Sequence, residues 1–407
     1  MTKKDVLRVS YATTKYGKEE IDAVMNVLKD PEKIVAGPRV HEFEEKVAKL
    51  FAKKFGIMVN SGSSANLLAL EVLNLPRGSE VITPALTFAT TLSPIIKLGL
   101  VPVFADVEPG KYTVDVDQVE KLISKKTKAL MIPLLLGNVP DMKRLQQIAK
   151  KHKLYFIEDS CDTLGTRFDG KPTGAYSDAS TTSFYASHII TAAGGGGMVM
   201  FNNPLLARKA LLMANWGRES TLYGAYEKSE EIKKRFTKTI KGRMYDGKFI
   251  FSEIGYNFQA TEMEAAFGLV QLKNLPKNEK TRKKNFNRLY SFFKQYEKLF
   301  ILPEWSRKAE INWLAFPLTV RPGAPFTRID LQVWFEKQNI QTRPIFTGNV
   351  LNQPGFDNIK RRTIHGGYPV SDNIMQNGIL LGAHHGMEDK HLHRIEESFK
   401  EFIKKYD

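Results

Sequence analysis

Cysteine is almost absent from this chain: Cys161 is the only one in 407 residues. A single thiol excludes any disulfide within the chain, and equally a zinc or iron–sulfur site made from cysteines of one chain. No run of about 18 apolar residues occurs, so no membrane span is expected. The opening residues, Met1 to Arg8, hold no apolar signal core, and with the lone cysteine this fits a reducing cytoplasm. Acidic residues are in deficit, 44 Asp and Glu against 60 Lys and Arg, for a formal charge of +16. Such an excess suits an anionic ligand, acidic lipid or nucleic acid, but no nucleic-acid motif accompanies it. Most of it reads as solvation of helices. Asn278–Lys298 is such a case, with Phe286, Leu289, Tyr290 and Phe293 at helical spacing opposite the charges.

What is present is core-forming material, 42% hydrophobic, enough for a large domain with a smaller one attached. Gly17–Lys29 and Val40–Lys53 read as amphipathic helices separated by Pro31–Pro38. After Ile57–Asn60 a helix follows over Leu67–Leu75, and then strands alternate with helices. The strands are Glu80–Thr83, Val101–Val107, Ala129–Leu136, Tyr155–Glu158 and Thr181–Tyr185, with Asp141–His152 as one of the helices. Continuous apolar strands spaced by helices predict an α/β fold with a mostly parallel central sheet covered on both faces. Trp216–Gly247 looks like a long excursion, and Gln259–Leu275 is a strongly periodic helix. Asn312–Val320, Asp330–Asn339, Ile340–Ile345 and a last helix, Asp389–Tyr406, predict a smaller α+β C-terminal domain. The expected division is 1–275 and 276–407.

Chemistry concentrates where the strands end. The run Ser180–Tyr185 closes in a polar turn carrying His188, before Gly194–Gly197 and a second apolar run, Met198–Phe201. His188 is the one residue there able to move protons near neutral pH. Further upstream, Ser61–Asn66 joins a strand to a helix start through small residues. Backbone N–H groups, the helix dipole and the Ser63 and Ser64 hydroxyls make that turn a place for an anion, and Gly62 lets a phosphate approach the backbone. Ser63 and Ser64 also suit plain helix capping. Phe88 offers an aromatic face after a strand, and Asp159 closes another strand. An anion nest, a stacking face and a carboxylate together make a consistent site for pyridoxal phosphate. An ionised acid against the ring nitrogen keeps it protonated, so the ring can accept electrons.

Ser61–Asn66, Glu158–Gly165, Ser183–His188 and Gly255–Phe258 resemble the sugar aminotransferase family of fold-type I pyridoxal-phosphate enzymes, over about Tyr16 to Lys400. With Thr342–Asn349, Gln353-Pro354 and Gly382–His385, the likeness is greatest to the nucleotide-sugar 4-keto-6-deoxyhexose 3-dehydratases. The resemblance implies an aspartate-aminotransferase-like fold. Aminotransferases of this family place the cofactor-anchoring lysine where His188 stands, and no lysine occurs between Lys171 and Lys209. It therefore implies noncovalent pyridoxamine phosphate or pyridoxal phosphate, His188 as acid and base, and loss of the C3 hydroxyl from a nucleotide-diphosphate sugar. L-Glutamate would restore the amine form. One subtype carries a [2Fe–2S] cluster. Cys161 matches its first ligand position, but Trp216–Leu222 holds no further cysteine, so the cluster-free type is implied and Cys161 is a packed thiol.

Further roles are expected from position and residue type, and that of Asn257 from the resemblance. Ser183 bonds the phosphate or the neighbourhood of the cofactor's 3-hydroxyl. Asp162 either steers His188 or is a solvated acid. Asn257 reaches a neighbouring subunit's phosphate site, which implies a homodimer with shared sites. Arg218 and Arg343 are candidates for the sugar diphosphate or the glutamate carboxylate, against surface ion pairs. His384 is expected to line the substrate pocket, and with His385, His391 and His393 it has no metal-site spacing. Two other readings are a sugar aminotransferase working without lysine and an inactive homologue that binds a sugar nucleotide. Intact Asp159, Ser63 and Ser64 argue against the second.

Overall fold

Alternating apolar residues put two faces on every strand of the central sheet, and helices cover both. A computed structural model describes residues 7–30, 34–223 and 232–406. Parts of the Pro31–Pro38 link and of the Trp216–Gly247 excursion, at 31–33 and 224–231, lie outside the described residues. The strands are β1 (Phe55–Val59), β2 (Glu80–Pro84), β3 (Val101–Ala105), β4 (Thr127–Pro133), β5 (Tyr155–Asp159), β6 (Ala179–Ser183) and β7 (Gly197–Phe201), in spatial order β1-β7-β6-β5-β4-β2-β3. From β3 to β6 every pairing is parallel, while β7 runs against both its neighbours. The mostly parallel sheet is thus found, with β7 reversed; the loop 184–196 that joins it to β6 carries no crossover helix.

Val81, Met131, Ile157 and Val199 face one side, packed on α3 (Gly62–Glu71), α4 (Ala89–Lys97) and α7 (Pro204–Ala214). Ile82, Leu130, Ile132 and Phe156 face the other, against α5 (Val116–Lys121) and α6 (Met142–His152). Local signals set these helices. In α6 the buried residues are Met142, Leu145, Ile148 and Ala149, Asp141 caps the first turn by accepting from the Arg144 N–H at 3.0 Å, and Lys150, Lys151 and His152 meet the negative end of the dipole. The two expected N-terminal helices are α1 (Lys18–Leu28) and α2 (Pro38–Leu50). The helix expected over Leu67–Leu75 begins earlier, at Gly62, and stops at Glu71.

The periodic segment beginning near Gln259 grows into α8, Glu262–Lys294, a helix of 33 residues with Pro276 inside it. Thr261 and Glu264 close a capping box at its start. At about 50 Å it carries the chain from the sheet into the C-terminal layer, and the division expected at 275/276 falls inside it. That layer is a three-stranded antiparallel sheet, β8 (Phe300–Ile301), β9 (Phe316–Val320) and β10 (Gly378–Leu381), with α9 (Arg328–Lys337), α10 (Pro369–Asn377) and α11 (Asp389–Ile403). Ile340–Ile345, one of the segments of the expected α+β domain, joins only through single bridges, Ile340 to Val9 and Arg343 to Leu380. No helix among the described residues is long and apolar enough to cross a membrane.

Aromatic rings hold the C-terminal layer to α8. Phe286 stacks on Trp313 at 4.6 Å between centroids, and Phe293 meets Phe399 at 5.2 Å. Because Phe293 is fully buried, truncation leaves a cavity the layer cannot close. Phe293→Ala is expected to lower stability by about 3–5 kcal/mol, read as a drop in urea midpoint with an unchanged m-value.

Candidate active site

The site gathers at one edge of the sheet. β1, β5 and β6 bring their carboxyl ends there, and β7 begins there because it runs the other way. Ser61 closes β1 and caps α3, its Oγ accepting from the Ser64 N–H at 3.1 Å, while Ser64 Oγ donates to Asn60 Oδ1 at 2.7 Å. The cap is Ser61 rather than Ser63 or Ser64, since only a residue in extended conformation before the first turn folds its side chain back onto those N–H groups. Ser63 is exposed in that first turn. At Gly62 a Cβ would come within 2.6 Å of Cys161 Sγ and 2.8 Å of Ser183 Cβ. Only glycine lets the helix start sit so close to the ends of β5 and β6. Cys161 is the packed thiol expected: burial, then the Asp159 charge, push its pKa well above the ordinary value, so it is no nucleophile.

Asp159 is buried and held by three donors. Asn66 Nδ2 and Thr91 Oγ1 reach Oδ2 at 2.8 and 2.6 Å, and the Cys161 N–H reaches Oδ1 at 3.2 Å. Thr181 Oγ1 donates to Asn66 Oδ1 at 2.6 Å, which fixes the amide's orientation. Oδ1 retains a lone pair for a further donor. Phe88, half exposed, precedes α4 with Phe346 edge-on at 6.2 Å. The Thr347 hydroxyl donates to the Thr87 carbonyl, so the C-terminal layer backs that ring. Ser183 is nearly buried, and its Oγ accepts from the Tyr185 N–H at 3.3 Å.

His188 follows in a turn closed by its N–H on the Tyr185 carbonyl at 2.9 Å. Its side chain keeps 17% exposure, and Nε2 lies 3.9 Å from Asp162 Oδ1, a contact too long for a hydrogen bond. Nδ1 is buried without a partner. Burial pulls the imidazole down to about 4. It also pushes the Asp162 carboxyl up to about 7, opposed by the Leu136 N–H at 3.0 Å and reinforced by the Asp159 charge. At neutral pH His188 is an uncharged base beside an acid near its own midpoint. Of the two readings of Asp162, the geometry has it facing His188 from a buried position.

Other expectations divide. Arg343 has its guanidinium 5.8 Å from the centroid of the Tyr11 ring and donates to the Thr342 carbonyl at 2.7 Å; no carboxylate pairs with it among the described residues. The surface ion-pair reading of Arg343 therefore fails. Burial and then the Asp162 charge push the Tyr11 phenol up, so Tyr11 and Asp162 share one electrostatic neighbourhood. Arg218 sits instead in the excursion, over Trp216 at 4.8 Å and Phe249 at 5.4 Å, with no described contact to Asp159 or His188. Asn257 is exposed and bridges Asn215 through the main chain, outside this chain's own cluster. For His384 a pocket-lining role does not fit. Nε2 lies 3.0 Å from the Ser10 carbonyl and Nδ1 accepts from the Gly386 N–H at 3.2 Å, so main-chain partners occupy both ring nitrogens. The ring sets a loop. Asn66, Thr91, Thr181 and Tyr11 were given no role in the sequence; polar residues inside a helix, within a strand or on the N-terminal arm give no signal until their partner is known.

A profile of the DegT/DnrJ/EryC1/StrS aminotransferase family matches residues 14–400. The chain belongs to that family. Within it, the lipopolysaccharide biosynthesis protein RfbH of Salmonella typhimurium is 36% identical over 89% of this chain and 84% of its own length. A dTDP-4-dehydro-2,6-dideoxy-D-glucose 3-dehydratase of Saccharopolyspora spinosa is 35% identical over 92% of this chain and 82% of its own. Among solved structures, E. coli GDP-4-keto-6-deoxy-D-mannose-3-dehydratase with bound hydrated PLP superposes with a TM-score of 0.85 at 25% identity, covering 96% of this chain and 100% of that one. These likenesses establish the fold-type I architecture and a sugar-modifying enzyme family.

Two measurements test the site. An unfolded histidine protonates near 6.5, whereas folding holds His188 neutral down to about 4. At this one group the native state binds fewer protons between those values, so the contribution of His188 to stability falls as pH drops through that window, while the raised Asp162 carboxyl acts in the opposite sense. By pH 5 the loss is roughly 2 kcal/mol. His188→Gln lacks it, and its urea midpoint should fall less than wild type's between pH 7 and 5; equal falls contradict the assignment. Separately, Thr91→Val strips a donor from Asp159, and cofactor retention in a fluorescence titration should weaken by roughly 10-fold.

Proposed function

We propose that this chain is a pyridoxamine-phosphate-dependent 3-dehydratase acting on a nucleotide-diphosphate-linked 4-keto-6-deoxyhexose. The observation that carries the reading is a nearly buried imidazole, His188, 3.9 Å from Asp162 and within the field of Asp159, in the stretch where the family's aminotransferases anchor their cofactor through lysine. The residues present fit the cofactor. Asp159, oriented by three donors with a lone pair to spare, suits a protonated ring nitrogen. The start of α3 with Gly62, Ser63, Ser64 and Ser183 suits a phosphate, and Phe88 offers an exposed ring face. Bound there, the cofactor supplies an amine for the sugar's C4 ketone and a ring that draws electrons from an adjoining C–H bond.

His188 takes up that C–H proton at an imidazole nitrogen. It then returns the proton to the C3 hydroxyl, which leaves as water. One neutral imidazole thus serves as base and then acid, a contribution of about 10²–10⁴-fold. Asp162, 3.9 Å away, stabilises the charged imidazole between the two transfers. Overall, sugar and L-glutamate give 3-deoxy-4-keto sugar, 2-oxoglutarate and ammonia, so the glutamate carbon is oxidised as the sugar is reduced. Arg343, with no acid partner among the described residues and lying by Tyr11, is the candidate for an anionic group of sugar or donor. Asn257, exposed and outside its own chain's cluster, fits the phosphate site of a second subunit.

The test is turnover with GDP-, CDP- and dTDP-linked 4-keto-6-deoxyhexoses plus glutamate. Formation of 2-oxoglutarate and ammonia with loss of the C3 oxygen is expected, and a 4-amino sugar product would instead assign the chain to the aminotransferases. His188→Asn should keep cofactor and lose turnover, whereas His188→Lys should gain a yellow, borohydride-fixable link to protein. For wild type, kcat/KM should hold well below pH 6, because the base stays unprotonated down to about 4.

A further inference from the structure

Arg282 lies on α8 among residues whose charges read as solvation, but it is fully buried. No carboxylate pairs with it among the described residues. Nη1 donates to the Trp313 carbonyl at 3.2 Å and the Leu314 carbonyl at 3.0 Å, Nη2 reaches the His188 carbonyl at 3.5 Å, and Nε has no partner. Isolated buried charge is costly, so main-chain dipoles alone are a poor reason to keep a guanidinium there. The groups around it are informative. His188 offers its carbonyl to Arg282, and its ring faces Asp162. Tyr11 comes from the N-terminal arm, and His384 and His385 from the loop after β10, where both ring nitrogens of His385 are buried and unpartnered. The nearby imidazoles are all held below their ordinary range by burial first, and Arg282 pushes each of them the same way; at His188 the Ser183 main chain and the Asp159 charge oppose it.

We propose that Arg282 is a positioning residue for His188: its unpaired guanidinium ties the His188 carbonyl to the Trp313–Leu314 crossing and disfavours a second positive charge on the imidazole. The tie runs from the catalytic turn to the C-terminal layer through one side chain. The charge acts on the same turn whose ring faces Asp162, so the imidazole feels both a cation that resists its protonation and an acid 3.9 Å away that tolerates it. Burial brings the guanidinium itself down only to about 10, so it stays charged at neutral pH. This inference rests on reading His188 as the base.

The test is the titration of His188 in ligand-free, full-length protein carrying labelled histidine, with its resonance assigned by its loss in H188N. In R282Q the midpoint should rise by about one pH unit. In R282K, which keeps the charge but cannot reach three carbonyls, it should stay with wild type while kcat falls. An unmoved midpoint in folded R282Q overturns the proposal. If R282Q fails to fold, R282K decides alone: a wild-type midpoint supports the charge role, and one near 6.5 overturns it. The titration needs neither cofactor nor substrate. A shifted midpoint without dehydration therefore sinks the reaction and not Arg282, while normal turnover with an unmoved midpoint does the reverse.

Discussion

A carboxylate at the end of β5, held still by three donors, is the constraint that the rest of the site obeys. Asn66 comes from α3, Thr91 from α4 and the Cys161 N–H from the chain just past the strand. Two of the donors are on helices packed on the sheet, so Oδ2 of Asp159 cannot turn away without losing its bonds to both. The same convergence requires the close approach at Gly62, where any side chain would strike Cys161 and Ser183. A helix start, a carboxylate and a serine are thereby brought to one edge. Orientation at such a site comes from packing rather than from the strength of any one bond.

Burial then sets the chemistry. Water is scarce around His188, so its imidazole resists a charge, and Asp162 is held near neutrality for the same reason. The two shifts run in opposite directions because one group is a cation when protonated and the other an anion when not. Proximity alone would have drawn both toward their charged forms; desolvation outweighs it. An uncharged base beside a half-protonated acid is the result, and it suits a group that must accept a proton and give it back.

The C-terminal layer is part of this arrangement. Phe346 and Thr347 back the Phe88 loop, Arg343 lies over Tyr11, and the loop after β10 holds the N-terminal arm through His384. A histidine pair that looks catalytic in a sequence therefore divides by hydrogen bonding. His384 has main-chain partners on both nitrogens, and His385 has none. Arg218 shows the opposite contrast. It was a candidate for the sugar diphosphate or the glutamate carboxylate, yet its guanidinium lies among aromatic rings with no described contact to the Asp159 cluster.

Sequence alone determined the order of strands and helices, because apolar periodicity and caps act over a few residues. It also exposed the strand-end residues Gly62, Asp159, Ser183 and His188, because an α/β sheet with consecutive parallel strands puts its loops on one edge. It missed the length of α8, since Pro276 reads locally as a stop and only tertiary packing carries the helix through it. It misread Arg282 as one more solvated cation, since nothing within helical reach of it announces that Trp313, Leu314 and His188 will close over it. Which histidine is free, which acid faces it and which arginine lies buried were decided by contacts between residues far apart in the chain. Burial and hydrogen bonding are properties of those contacts, and no window of sequence contains them.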